Sequence, residues 1–481
     1  MKFSGLTSAL LSLTFSAQAE LKLPAIFGDN MVLQQQQAVP VWGWATPGAE
    51  VTVKFSGQTK ATHAATDGKW LVKLDRLKAS FTPQTLVINS GGTKTLTNIL
   101  VGEVWLGSGQ SNMEKPIGEQ RGQKPTFNAE AELAAAHHPN LRLFLVEKAL
   151  AVKPLADLQK FKGWEPCRSN VLEDMHFSAA AYFFGREILT NLNVPVGVIV
   201  SSWGGTRVEP WTPPAGFEKI PSLANLAVMP DPGTNKNFNR LPTALYNAMI
   251  APIAGFGIRG AIWYQGESNR GETNYDTKMS ALVGGWREVW NEGNFPFYFV
   301  QIAPFKYIKE ATNYSAEADP LPRFWLQQSR AARQIKNAGM IVTTDLVDDL
   351  NDIHPRNKKE VGHRLALLAL DKTYGKKVVS SGPAFREAKF VKGKAILKFT
   401  HTDGGLVSKD GQPLTWFEIA GADKKFVPAG AKIAGDTVEV SSAAVTKPTV
   451  VRFAWNQMAQ PNLFNEARLP TEPFRTDEPV K

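Results

Sequence analysis

Apolar and polar residues alternate through the first part of the chain. Val51, Val53 and Phe55 interleave with Thr52 and Lys54, and Trp70, Val72 and Leu74 with Leu71 and Lys73. A period of two places each set on one face of an extended strand. Pro47-Gly48, Ser56-Gly57 and Asp67-Gly68 separate these stretches as turns. The pattern predicts a small N-terminal β-sandwich.

Near residue 99 alternation gives way to apolar runs at 99–106, 194–200, 258–263, 297–302 and 340–344. Helical spacing lies between them, in Phe177, Ala181, Phe184 and Ile188, in Tyr275, Met279, Leu282 and Trp286, and in Val361, Leu365 and Leu368. Strands apolar on both faces and alternating with helices predict an α/β fold, a parallel sheet flanked by helices. Ligands of such sheets sit beyond the carboxyl ends of the strands. There the chain breaks at Gly107-Ser108-Gly109, Gly204-Gly205 and Gln265-Gly266. After Tyr374-Gly375 short strands return at 395–400, 416–420, 437–440 and 450–455, a C-terminal β-rich region.

A length of 481 residues with 43% hydrophobic content suits several domains. The expected division is 20–97, 98–375 and 376–481, behind a signal peptide over 1–19. Lys2 supplies the positive start, residues 6–15 are mildly apolar, and Ala17-Gln18-Ala19 fits the small-x-small cleavage pattern. Export to the periplasm or the medium follows, with Glu20 first in the mature chain. No later segment reaches the ~20 apolar residues of a membrane span, so stable membrane insertion is not expected. The net charge of +10 is spread without a dense Lys/Arg block or a nucleic-acid-binding motif, which argues against a nucleic-acid partner. Cys167 has no second cysteine to pair with. The 13 tryptophans serve either sugar binding or core packing.

Four segments carry chemistry. In Gly107-Ser108-Gly109-Gln110-Ser111-Asn112-Met113 the serine follows a predicted strand and opens a helix. Such a serine exposes its hydroxyl at the sheet edge and leaves its own N–H unpaired for an oxyanion. Met113 excludes a G-x-S-x-G elbow, and Asn112 excludes a dinucleotide fingerprint. In Ser201-Ser202-Trp203-Gly204-Gly205-Thr206-Arg207 the glycines let backbone N–H groups approach a ligand. Trp263-Tyr264-Gln265-Gly266-Glu267-Ser268-Asn269 offers the Gln265 amide and the Glu267 carboxylate. In Asp348-Asp349-Leu350-Asn351-Asp352-Ile353-His354-Pro355 an imidazole that titrates near neutrality can act as general base, and a nearby carboxylate can fix its tautomer. Each segment alone reads equally well as a turn, a cap or a surface histidine. Their succession at the ends of consecutive strands is what points to a site. The remaining histidines (His63, His137, His138, His176, His363 and His401) show no metal spacing such as H-E-x-x-H, so neither a metal nor an organic cofactor is expected.

These segments resemble, in order, the Ser, Gly, Asn and His blocks of the SGNH hydrolase superfamily. More closely, the chain resembles the sialate O-acetylesterase family. The matching stretches are 27–34, 109–113, 203–206, 264–269 and 352–355, with a similar ending at Pro461-Asn462-Leu463-Phe464-Asn465 and Pro473-Phe474-Arg475. The resemblance implies Ser111 as nucleophile and His354 as base. The superfamily's Asp stands three residues before the His, where this chain has Asn351, so Asp352 and Glu267 compete as the partner of His354. Where the superfamily has an oxyanion Asn this chain reads Gln265-Gly266-Glu267, and Gln265 is the candidate donor beside the N–H groups of Ser111 and Gly204 or Gly205. Arg207, Trp211 and Tyr264 are candidates for holding a sugar. The implied activity is release of acetate from an O-acetylated carbohydrate, most simply an acetylated sialic acid. An acetylxylan or other polysaccharide deacetylase is the alternative, and a non-catalytic glycan-binding protein the rival from another class. The sequence names no protein partner.

Overall fold

In the computed structural model, which describes residues 20–120, 122–233, 237–308 and 319–478, the N-terminal alternation becomes an antiparallel ribbon. The signal-peptide expectation over 1–19 lies outside the described residues. Strand β1 (Val39–Trp44) pairs with β2 (Lys69–Leu74), Pro40 opposite Lys73, Trp42 opposite Leu71 and Trp44 opposite Lys69. Val39, Val41, Trp70, Val72 and Leu74 turn inward and are buried. The strands Glu50–Phe55, Gln58–His63 and Ser80–Asn89 lead antiparallel into β3 (Thr93–Gly109). Residues 93–101 of β3 pair with the N-terminal strand Ser80–Asn89, and residues 103–109 join the central sheet. The change of texture near residue 98 thus falls inside one strand.

The chain continues through α1 (Ser111–Glu114), β4 (His137–Val146), β5 (Phe161–Arg168), α2 (Ala179–Leu192) and β6 (Val196–Ser202). Then come β7 (Gly260–Tyr264), α3 (Tyr275–Trp290), β8 (Phe297–Val300), α4 (Pro320–Gln334), β9 (Ala338–Ile341) and α5 (Lys358–Leu368). The central strands lie in the order β9-β8-β7-β3-β6-β4-β5, all parallel except β5. Both faces are buried, which is why the strands read as apolar runs. Ala261 and Trp263 of β7 pack on one side with Trp286 of α3 and Trp325 of α4. Ile262 and Tyr264 pack on the other with Phe184 of α2 and Leu365 of α5.

From β3 the chain first lays down β4 and the edge strand β5 on one side and returns with β6 to lie beside β3, then crosses to β7, β8 and β9 on the other. This reversal opens a crevice beyond the carboxyl ends of β3, β6 and β7, the usual ligand position in such sheets. Gly109 makes the crevice possible. Its φ is +139°, and a Cβ there would lie 2.2 Å from the Tyr264 carbonyl oxygen. Only a glycine lets the ends of β3 and β7 close together.

The C-terminal strands form two four-stranded antiparallel sheets and a pair, Leu406–Ser408 with Leu463–Asn465. Phe385, Phe399, Phe453 and Phe474 pack together as their core. Among the described residues no helix is long and apolar enough to cross a membrane.

Candidate active site

Ser111 is the first residue of α1, directly beyond the Gly109 turn, and is half-buried. Its Oγ lies 2.9 Å from Nε2 of His354, which stands on the loop between β9 and α5. Asp352 Oδ1 accepts the His354 backbone N–H at 2.9 Å and lies 3.6 Å from the ring Nδ1. The ring contact is longer than a hydrogen bond, yet the carboxylate flanks the nitrogen opposite the serine. Burial, reinforced by the Lys358 charge, pushes the His354 imidazole down to about 4 against the pull of Asp352. The ring is therefore neutral at physiological pH, as a proton acceptor must be.

Glu267 does not touch His354. Its Oε1 accepts 2.6 Å from Nδ2 of Asn112, and its Oε2 is buried without a hydrogen-bond partner among the described residues. Burial raises its carboxyl above the usual carboxylate range. Asn112 Nδ2 also donates to the Ile353 carbonyl at 3.0 Å, and its Oδ1 accepts from Lys358 Nζ at 2.8 Å. Lys358 donates to the Pro355 carbonyl at 2.7 Å and lies 5.2 Å from the Tyr264 ring centroid. Burial pushes its ammonium down to about 7, with Lys115 adding repulsion. Asn112 thus ties the nucleophile's helix to both residues flanking His354, through Ile353 directly and through Lys358 to Pro355. The sequence reading quoted Asn112 without giving it a task and passed over Lys358.

Neither the Ser111 N–H nor the Gly205 N–H donates a hydrogen bond among the described residues. Gly205 sits at φ +73°, and Gly204 abuts the nucleophile so closely that a Cβ on it would lie 3.2 Å from that of Ser111. The Gly204 N–H donates to Glu114 Oε2 at 2.7 Å, and Lys148 pairs with the other carboxylate oxygen. The Gln265 amide points away from an oxyanion. It is fully buried, donates to Asn269 Oδ1 at 2.7 Å and to the Thr206 carbonyl at 3.2 Å, and accepts from the Tyr275 hydroxyl at 2.8 Å. Gln265 holds the loops after β6 and β7 together. Gln110 ties the turn after β3 to the loop after β7, its Oε1 accepting the N–H groups of Gly266 and Ser268.

The expected sugar-holding residues separate. Trp211 is fully buried, its indole N–H donating to Thr206 Oγ1 at 3.0 Å and its ring edge-on to Trp263. It packs in the core because the short turn Glu209–Trp211 folds back over the sheet. Tyr264 is also fully buried, packed in the core on the side of the sheet that carries α2 and α5. Arg207 is partly exposed and pairs with Glu209 at 3.5 Å and with Glu272. The half-exposed aromatic at the crevice is Trp203, whose N–H bonds to the Gly109 carbonyl and whose ring lies 5.8 Å from Lys148 Nζ. Its place next to Gly204 was the available signal for it. Beside α1, a cavity of about 350 Å³ is lined by Glu114, Lys148, Lys160, His176 and Ser202.

Comparison with known proteins agrees with this geometry. The family model described as carbohydrate esterase, sialic acid-specific acetylesterase, matches residues 101–371. The chain is 30% identical to the sialate O-acetylesterase of Homo sapiens, over 95% of this chain and 93% of that protein. It is 28% identical to the sialate O-acetylesterase of Mus musculus, over 92% and 90%. The crystal structure of a carbohydrate acetylesterase from Xanthomonas citri superposes with a TM-score of 0.86 at 36% identity, covering 95% of this chain and all of that one.

Proposed function

Since the chain belongs to the sialic acid-specific family of carbohydrate acetylesterases, and is thus a carbohydrate O-acetylesterase, we propose that it works through a serine acyl-enzyme and takes acetylated sialic acids. The observation that carries the mechanism is the 2.9 Å contact between Ser111 Oγ and His354 Nε2 at the sheet's switch point. His354 takes the serine proton as Oγ attacks the acetyl carbonyl. The N–H groups of Ser111 and Gly205 hold the oxyanion, and Asp352 steadies the imidazolium. Collapse expels the sugar oxygen, which receives the proton from His354. Water, deprotonated by the same ring, then cleaves the acetyl ester and releases acetate.

The family resemblance supports the sialate reading. The cavity beside α1 carries Lys148 and Lys160 but also Glu114 and Glu147, so its charge does not by itself select a carboxylated sugar. The signal-like first residues add export to this reading. Ser111→Ala should lower hydrolysis of a chromogenic acetate ester at least ~10³-fold while leaving the thermal melt intact. Acetylated sialic acid set against acetylated xylan tests the sugar. Equal kcat/KM on the two would remove the sialate assignment and leave the serine chemistry standing, whereas near-normal turnover by the Ser111→Ala enzyme would remove the mechanism.

A further inference from the structure

A cavity of about 940 Å³ does not include Ser111 or His354 among its walls. One wall is the outer face of the β1–β2 ribbon. Because alternate residues share a face, Pro40, Trp42 and Trp44 stand side by side with Lys73, Leu71 and Lys69. Trp42 and Trp44 are half-buried, and Leu71 is 50% exposed. The opposite wall comes from the central layer, at 254–255 ahead of β7 and at 290–292, where α3 ends at Trp290 and Glu292 follows its cap. Both segments lie at the amino ends of the parallel strands, whereas the Ser111 crevice lies beyond their carboxyl ends. The two sites open at opposite ends of the sheet.

We propose that this groove binds a chain of carboxylated sugars, as a second glycan site separate from the catalytic crevice. The choice of occupant rests on the carbohydrate-esterase reading and on three features of the walls. Indole rings lining a concave surface, Trp44 with the Lys22 ammonium 5.5 Å from its centroid, suit the apolar faces of pyranose rings beside an anionic group. The volume falls at the upper end of the roughly 300–1,000 Å³ typical of ligand sites, enough for more than one ring. The rim is cationic: Lys69 and Lys73 flank Leu71, and His63 stands near them. Asp67 pairs with Lys69, while Lys73 makes no ion pair among the described residues. The acid facing the groove is Glu292, whose carboxyl burial pushes up to about 7, so it opposes an anionic ligand less than an ordinary carboxylate would. A polymer held here stays close to the enzyme between turnovers, raising the effective concentration of acetyl groups at Ser111.

The test measures binding apart from hydrolysis. The Ser111→Ala protein is run through native gels containing O-acetylated sialoglycan mucin, acetylated pectin or acetylated xylan. Retardation by the two carboxylated polymers is expected, with less by neutral xylan. In the same background Trp44→Ala with Lys73→Glu should weaken retention about tenfold, with an unchanged thermal melt. Trp42 is left alone because it rests edge-on against Phe27 at 4.7 Å. If the double variant melts early, Lys73→Glu alone must weaken retention. Retention unchanged in a folded variant, or no retardation by either carboxylated polymer, overturns the groove. Ester hydrolysis by the parent enzyme is scored separately, so a protein that cleaves acetate but is not retained loses the groove and keeps the esterase reading.

Discussion

Asn112 and Lys358 form one buried unit under the catalytic pair. The Lys358 Nζ donates to Asn112 Oδ1 at 2.8 Å, joining the residue after the nucleophile to the residue four beyond the base. Lys358 lies close enough to His354 to disfavour its protonation. The lysine is charged below about 7, which covers the range in which His354 gains its proton.

Removing that charge should move the pH profile. The neutral imidazole is the active form, so activity falls as pH drops through the His354 pKa. The wild-type acid limb should lie below the ordinary histidine value of about 6.5. Lys358→Met deletes a positive neighbour, so the imidazolium becomes easier to form and the limb shifts to higher pH. A pH series of kcat/KM reads this. A limb that stays in place would show that Lys358 acts only by bracing Asn112 and Pro355.

Asp352 and Glu267 should part company on mutation. Asp352 flanks the His354 ring at 3.6 Å, while Glu267 accepts from Asn112 instead. Asp352→Asn should cost kcat about 10³-fold or more. Glu267→Gln should cost less than about tenfold, since an amide oxygen still accepts from Asn112. The reverse order in kcat would make Glu267 the partner of the base.

Trp211 and Trp203 should behave oppositely. Trp211→Ala empties a fully buried site and should cost about 3–5 kcal/mol of stability, seen as a lower melting temperature. Trp203→Ala, at the crevice, should raise KM for an acetylated sugar while barely changing the melt. A Trp211→Ala enzyme that melts normally but binds sugar poorly would restore Trp211 to the substrate.

Export should remove the first 19 residues. N-terminal sequencing of protein recovered outside the cytoplasm should begin at Glu20. A mature chain that still carries Met1 would contradict both the cleavage site and the localisation.

The parallel strands were legible because burial on both faces leaves an apolar run, as in the first five residues of Val196–Ser202 and in Gly260–Tyr264. Helix α4 was not, because prolines open it and buried glutamines interrupt its apolar face. Gln328 is one of these, its Nε2 and Oε1 bonding the Val300 carbonyl and Ile302 N–H at the end of β8. Strand β4 hid behind a polar start, His137-His138-Pro139-Asn140. In the site, motif spacing reached Ser111 and His354. It could not tell which way a side chain turns. Gln265 and Trp211 occupy the expected loops but face inward, and the Asn112–Lys358 bond joins positions 246 residues apart. Such a pairing leaves no trace in local pattern.

Strand β3 gives the N-terminal layer a part in catalysis that none of its own side chains performs. One continuous strand, interrupted in its extension at Asn98, where φ is +54°, is gripped at one end by Ser80–Asn89 and carries the nucleophile's turn at the other. Sliding that grip by one residue would exchange the two faces of the strand, swapping Trp105 with its neighbours Val104 and Leu106 across the sheet. The grip therefore works as a ruler. Cutting it away would leave every reacting group in the chain and the end of β3 held by β6 and β7 alone.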